Sequence, residues 1–409
     1  MPRFTTQDYW IDHRSTIPAN TDQPVKLFVR WHKPEHPHGE RRRPVVMVHG
    51  RSIPGLVAFD LGEGQPGYYE DYSWSRELAK DGYDVFVMDL QGIGRSTRPS
   101  VMNDKCNINP AQQLIVLPQT CPPTYAYQLS NSQSDWDELD KVVNWAMGQT
   151  GTSKVDLVGY SAGAFAVGPY AMAHSDRVSS LLLLAPAFAM KGPSSPVASL
   201  PLGSSNPPPG FWGFPMLIQD KPAFETGWNN EVFVEPRCPE QRDDAHHIVD
   251  VVWQAVMNND DVGRSWGPGV LRFRNPYWWG WNPETVGSDQ ILGDEVPMLI
   301  VYGEKDKIAG DNPVQNFCVP KLYDHINGQH KLMFRVDATG HHIVWERQRK
   351  HVHKLSKKWL KSANTGMPYS IDSKSNGSYG LDWDGDRYDL PSSTIIQTQD
   401  ERLLAMSLV

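Results

Sequence analysis

Six short apolar runs constrain this chain more than anything else in it: Val45–Val48, Val85–Leu90, Val155–Val158, Leu181–Ala185, Met298–Tyr302 and Leu332–Val336. Each is apolar at nearly every position. That is the pattern of a strand buried on both faces, as in a parallel sheet, and not the alternation of a half-exposed strand. Helical patterns lie between the runs. Tyr72–Lys80 is one, and Ala162–His174 is another. Trp136, Leu139, Val143 and Met147 recur at spacings of three and four, and Trp345–Leu360 is amphipathic and rich in Lys. Strands that alternate with helices predict an open α/β sheet with right-handed crossovers. Two further strands, Tyr9–His13 and Lys26–His32, are expected ahead of the first run, joined by a turn carrying Pro18, Asn20 and Asp22.

Two stretches break the alternation. Thr97–Ser130 is irregular, with many Pro and Asn. Met190–Glu295 contains Asn206-Pro-Pro-Pro-Gly210 and is too long for a simple connection. Segments of this length are usually lids or small extra domains. The second stretch also holds seven of the chain's 15 tryptophans: Trp212, Trp228, Trp253, Trp266, Trp278, Trp279 and Trp281. A length of 409 residues accommodates an α/β core with such an insertion, and 39% hydrophobic residues suffice for a sizeable interior. The tail after Ala363, rich in Ser, Asn, Gly and Asp, is expected to lie over the surface or to be partly disordered.

Charge narrows the function classes. A net charge of −8 argues against a nucleic-acid binder that works by neutralising phosphates. No apolar run approaches the roughly 18 residues of a membrane span. The opening residues, MPRFTTQDYW, lack the apolar stretch of a signal peptide, which favours a cytoplasmic location and leaves export open. Four cysteines, Cys106, Cys121, Cys238 and Cys318, are too few for a disulfide scaffold and form no CxxC motif. Cys106 and Cys121 share one Pro-rich segment. They pair in an exported protein or stay reduced in a cytosolic one, and the sequence does not separate these.

The sharpest chemical signal is Gly159-Tyr160-Ser161-Ala162-Gly163, between the strand Val155–Val158 and the helix that follows. A serine on a tight strand-to-helix turn needs small residues two positions to either side, because the backbone folds back on itself there. Gly159 and Gly163 meet that need. The turn presents the Ser161 hydroxyl at the carboxyl end of the sheet, beside the open N–H groups of a helix N-terminus.

A serine hydroxyl needs a base. His341 follows the strand Leu332–Val336 in Asp337-Ala-Thr-Gly-His341, so it points into the same crevice as Ser161; adjacent His342 is its rival. The imidazole in turn needs a carboxylate. Asp306, in Gly303-Glu304-Lys305-Asp306 after the strand Met298–Tyr302, is the candidate, with Glu304 and Asp311 as alternatives. An oxyanion needs two N–H donors. The backbone of Ala162 is one. The loop His49-Gly50-Arg51-Ser52 supplies the other, from Arg51 or else Ser52. The Arg51 side chain either sets a positive charge over the site, favouring an acidic substrate, or packs in a structural ion pair. His246 and His247 have no third ligand spaced to make a metal site.

Together Pro44–Gly50, Asp89–Ser96, Gly159–Gly163, Gly303–Asp306 and Gly340-His341 resemble the α/β-hydrolase superfamily over about residues 25–362. The order Ser161, Asp306, His341 is similar to that family's Ser…Asp…His order. The resemblance implies an α/β-hydrolase fold: a mostly parallel central sheet flanked by helices, with an inserted cap. It divides the chain into a core (1–189 and 296–362), a cap (190–295) and a tail (363–409). A serine at the elbow rules against the branches similar to epoxide hydrolases and haloalkane dehalogenases, which place Asp there.

The expected activity is that of a serine hydrolase acting on a carboxylic ester, or a thioester or lactone. Ser161, Asp306 and His341 form its triad, and the N–H groups of Ala162 and Arg51 form its oxyanion hole. The Trp-rich cap suggests a small apolar or aromatic substrate, unless the indoles only build the cap's own core. No metal or organic cofactor is implied. Carbon–carbon bond hydrolysis, a lyase reaction and amide cleavage on the same fold are the alternatives, and a non-catalytic binding protein is a further one, which predicts a broken triad. Three weaker patterns read as structure: Asp382-x-Asp384-Gly385-Asp386 as a polar tail, because its Gly is misplaced for a calcium loop; Gly92-x-Gly94 as a turn; and Asn376-Gly-Ser378 as a glycosylation sequon relevant only on export.

Overall fold

The computed structural model describes residues 4–35, 42–62, 67–197, 202–204, 210, 212–232, 241–312, 317–362 and 369–390. Asn206–Pro209, Cys238 and the tail beyond 390 lie outside the described residues. Ten strands form one sheet: β1 (Phe4–Arg14), β2 (Pro24–Pro34), β3 (Pro44–Val48), β4 (Asp84–Met88), β5 (Val155–Tyr160), β6 (Val178–Leu184), β7 (Met298–Gly303), β8 (Lys331–Val336), β9 (Gly377–Leu381) and β10 (Arg387–Asp389). Their spatial order is β1-β2-β4-β3-β5-β6-β7-β8-β9-β10. The pairs from β4 through β9 are parallel. The edges, β1 with β2, β2 with β4, and β9 with β10, are antiparallel.

The apolar runs follow from this arrangement. Successive side chains of a strand point to opposite faces. Val45, Met47, Val85, Val87, Leu299 and Val301 accordingly join one core cluster, while Val46, Val48, Phe86, Met88, Met298 and Ile300 join the other. Helices cover both faces, among them Trp74–Lys80, Ser132–Thr150, Ala164–Ala173 and Arg349–Ser362. The long helix after Asn131 starts where its side chain accepts from the N–H of Ser134, and it stops at Gly151, whose φ of 67° suits a residue without Cβ.

The tail departs from expectation. Gly377–Leu381 is not a surface strap: it pairs in parallel with β8, Leu332 opposite Gly377 through Val336 opposite Leu381, and turns back as β10. The Asp-rich run 382–386 is the connecting turn, with Asp386 N–H donating to the Asp382 side chain at 2.8 Å.

The two irregular stretches pack on each other. Within 190–295, the strands Met216–Asp220 and Val270–Arg274 form an antiparallel pair, beside the helices Lys221–Asn229 and Ile248–Met257. The 97–130 stretch lies against that pair. Gln112 exchanges two hydrogen bonds with the Ile218 backbone, and Asn109 N–H donates to the Met216 carbonyl at 2.9 Å. Met102, Ile108, Leu129, Met216, Ile218 and Trp266 share a third core cluster. A disulfide joins Cys106 to Cys121 in this region. Among the described residues no helix is long and apolar enough to cross a membrane.

Candidate active site

Ser161 stands at the end of β5 with φ 54°, a left-handed conformation that a non-glycine residue adopts under constraint. One turn of 3-10 helix, Ser161–Gly163, then leads into the α-helix at Ala164, two residues later than the sequence suggests. The flanking glycines are needed for space. A Cβ on Gly163 would fall 2.7 Å from the carbonyl oxygens of Val48 and His49, and one on Gly159 would fall 2.5 Å from Val167.

The structure brings His341, and not His342, onto the serine. His341 Nε2 lies 2.9 Å from Ser161 Oγ, and its Nδ1 lies 2.9 Å from Asp306 Oδ2. The other oxygen of Asp306 accepts from the N–H groups of Ile308 and Ala309, at 2.9 and 2.7 Å, so its own turn fixes the carboxylate. Burial opposes the charge on Asp306, but His341 and these donors prevail and hold it below the ordinary aspartate value. Burial likewise opposes a charged His341. Its contacts with Asp306, then the charges of Glu231 and Glu346, raise it above the usual imidazole value. The Tyr160 ring stacks on His341 at 5.5 Å, and its hydroxyl donates to the His341 carbonyl at 2.9 Å.

The alternatives are placed elsewhere. Glu304 accepts from the Ala338 N–H at 3.1 Å and pairs with Lys305. Asp311 is in the short strand Asp311–Asn312, and its side chain is outside the described set. His342 stacks on Trp228 and Trp345, with Nδ1 3.2 Å from Glu231.

Two carboxylates escaped the sequence reading. Glu231 is 2% exposed and sits between the loops after β7 and β8. Its Oε1 accepts from the Lys307 N–H at 2.9 Å, and its Oε2 from the His341 N–H at 2.8 Å. Glu346 accepts from the Gly340 N–H and from Trp228 Nε1, at 2.8 and 3.0 Å. Burial is the main cause that pushes Glu346 up to about 7. No motif announces Glu231, which is 110 residues from His341 in sequence. The Gly340 position is one late clue, since a Cβ there would meet Glu231 Oε2 at 2.7 Å.

The loop after β3 lies against Ser161: a Cβ on Gly50 would fall 3.0 Å from Ser161 Cβ. The N–H of Leu90 donates to His49 Nε2 at 3.0 Å, so the ring proton is on Nδ1 and is donated to the Gly50 carbonyl at 2.6 Å. Burial, then Arg274, drives His49 down to about 3, so it stays neutral. Its hydrogen bond orients the Gly50–Arg51 peptide. Among the described residues no acceptor takes the Arg51 N–H.

A cavity of about 240 Å³ opens over Ser161. Ile53, Phe224, Phe273, Trp278, Ile308 and Phe317 give it an apolar wall, and Arg51, Ser52, Gln219 and His342 add polar groups. Of the seven insertion tryptophans only Trp278 lines it. Trp228, Trp253, Trp266, Trp279 and Trp281 are buried in the cores, and Trp212 is exposed. Among the described residues no three His, Cys, Asp or Glu side chains gather as a metal site.

The family model of the alpha/beta hydrolase fold matches residues 43–348, and the chain belongs to that family. No curated protein matches the sequence. Among solved structures, an esterase from Thermogutta terrifontis is 16% identical with a TM-score of 0.48, covering 87% of this chain and 98% of its own. A 2-hydroxy-6-oxo-6-phenylhexa-2,4-dienoate hydrolase from Rhodococcus sp. strain RHA1 is 14% identical with a TM-score of 0.46, covering 86% and 99%. A thioesterase domain from the curacin biosynthetic pathway is 15% identical with a TM-score of 0.42, covering 86% and 99%. At such identities and TM-scores these likenesses bear no weight on chemistry.

Proposed function

We propose that the chain is a serine hydrolase that cleaves a carboxylic ester, or a thioester or lactone, of a small and largely apolar molecule. One observation carries this reading: the unbroken hydrogen-bond path from Ser161 Oγ through His341 to Asp306 beneath an apolar cavity. A non-catalytic scaffold has no need of that path. In this reading residues 190–295 form a cap over the serine, with the 97–130 stretch of the core packed on them, and 1–189 with 296–362 form the core, whose sheet is extended by Gly377–Leu381 and Arg387–Asp389. The cap contributes Gln219, Phe224, Gly227, Phe273 and Trp278 to the cavity wall.

Ser161 Oγ attacks the substrate carbonyl while His341 Nε2 takes its proton. Asp306 stabilises the imidazolium and fixes the proton on Nδ1. The N–H groups of Ala162 and Arg51 receive the oxyanion: the first is a donor at the start of a helix, and the second has no acceptor among the described residues. His341 then protonates the leaving group, and the same imidazole activates the water that releases the acid. The test is labelling with a fluorophosphonate. The intact chain is expected to label, Ser161→Ala not at all, and His341→Ala far less. Labelling that survives Ser161→Ala overturns the assignment.

A further inference from the structure

The cavity over Ser161 contains an anomaly. Arg51 lines it, and its guanidinium lies 5.6 Å from the centre of the Phe273 ring, another wall residue. Arg51 Nε is buried and has no hydrogen-bond partner. Among the described residues no carboxylate is paired with the side chain, and none of those lining the cavity is acidic. Burial alone shifts its basicity, downward, with no anion acting against it. The other polar wall residues beside it, Ser52 and Gln219, carry no charge.

Three arginines buried more fully than Arg51 do have carboxylate partners. Arg30 meets Asp8 and Asp60, Arg272 meets Asp260, and Arg274 meets Asp135. A buried cation without a counter-charge is costly, and folded proteins pair such groups or use them. A guanidinium is built for a planar anion, because its fork of N–H groups matches the two oxygens of a carboxylate.

We propose that Arg51 anchors a carboxylate carried by the substrate, so that the enzyme favours esters with an apolar body and one anionic end. This rests on the reading of Ser161 as nucleophile. The single residue then has two separate tasks: its backbone N–H faces the oxyanion, and its side chain selects the substrate. The carboxylate belongs to either the acyl or the alcohol part, and the assay distinguishes the two.

The test compares two ester pairs. For the acyl side, 4-nitrophenyl hemiglutarate is set against 4-nitrophenyl valerate. For the alcohol side, 4-(butyryloxy)benzoate is set against its methyl ester. The acid of one pair is expected to exceed its neutral partner in kcat/KM by about tenfold or more. Arg51→Met should abolish that ratio, chiefly through KM, and Arg51→Lys should keep part of it. Removing an unpaired buried charge should also leave Tm at or above that of the parent, whereas loss of a hidden ion pair would lower it. Wild-type ratios of one or below, or ratios indifferent to Arg51→Met, overturn the proposal while leaving the hydrolase reading in place. If no ester is turned over, calorimetry on Ser161→Ala decides. Glutarate or 4-hydroxybenzoate binding that disappears in Ser161→Ala/Arg51→Met upholds the anchor, and binding that is absent or unchanged refutes it.

Discussion

Replacing Glu231 by Gln tests whether one carboxylate holds the proposed active site together. Each oxygen of Glu231 accepts from a different loop: Oε1 from Lys307 N–H, one residue after Asp306, and Oε2 from His341 N–H itself. A glutamine offers a single acceptor oxygen. Whichever way its amide is turned, an NH2 group faces a buried N–H donor. The lost bond and the stranded donor together cost on the order of 2–4 kcal/mol, because bonds to a charged acceptor are the stronger kind. The loops would part, and a displacement near 1 Å at the base costs about a hundredfold in kcat/KM. A second readout separates positioning from loss of structure. His341 faces Asp306, Glu231 and Glu346, with the Tyr160 ring stacked on it, and the negative charges raise it. Deleting the Glu231 charge lowers the His341 pKa, so the unprotonated base persists to lower pH. The acidic limb of the pH–kcat/KM profile should therefore move to lower pH. Urea denaturation within about 0.5 kcal/mol of the parent, with an unmoved pH limb, would refute the reasoning.

Three other outcomes follow from the same geometry. Gly163→Ala drives a methyl group against the Val48 and His49 carbonyls at 2.7 Å, and it should cost about 1–3 kcal/mol in urea denaturation and lower kcat as well. Burial raises Asp89 to about 6, Glu346 to about 7 and Glu138 to about 8. Acids with raised folded-state values lend stability that is full below their unfolded values and is lost as pH rises through the folded ones. The urea midpoint should thus fall between about pH 7 and pH 8.5, above the range where the depressed histidines His49 and His353 act the other way, and Glu138→Gln should flatten that slope. Reducing the Cys106–Cys121 bridge, which spans 15 residues, should cost about 3 kcal/mol, seen as a lower urea midpoint with dithiothreitol than without.

The local part of this protein was readable in advance. Strands buried on both faces announce themselves as apolar runs, because every position along them is covered, and each of the six runs marks a strand of the sheet, with Asp89, Leu90 and Ala185 falling just past the strand ends. The elbow at Ser161 was readable for a related reason: a turn that tight admits only small residues at Gly159 and Gly163. His341 and Asp306 were narrowed to short loops, since residues just past the ends of parallel strands share one crevice. Only the folded chain chose between neighbours there, turning His341 to the serine and His342 to Trp228.

What depends on pairing across the chain was not in the pattern. Gly377–Leu381 reads as a polar tail because its strand identity comes from β8 beside it and not from its own side chains. The 97–130 stretch has no periodicity of its own, and its order comes from packing on Met216 and Ile218. The insertion tryptophans suggested an aromatic pocket, but most are spent on the interior. Glu231 and Arg51 make the physical reason plain. A sequence shows which charges exist. Which of them meet is decided by three-dimensional proximity, and it placed Glu231 against the loops that carry Asp306 and His341 and left Arg51 in the cavity with no counter-charge among the described residues.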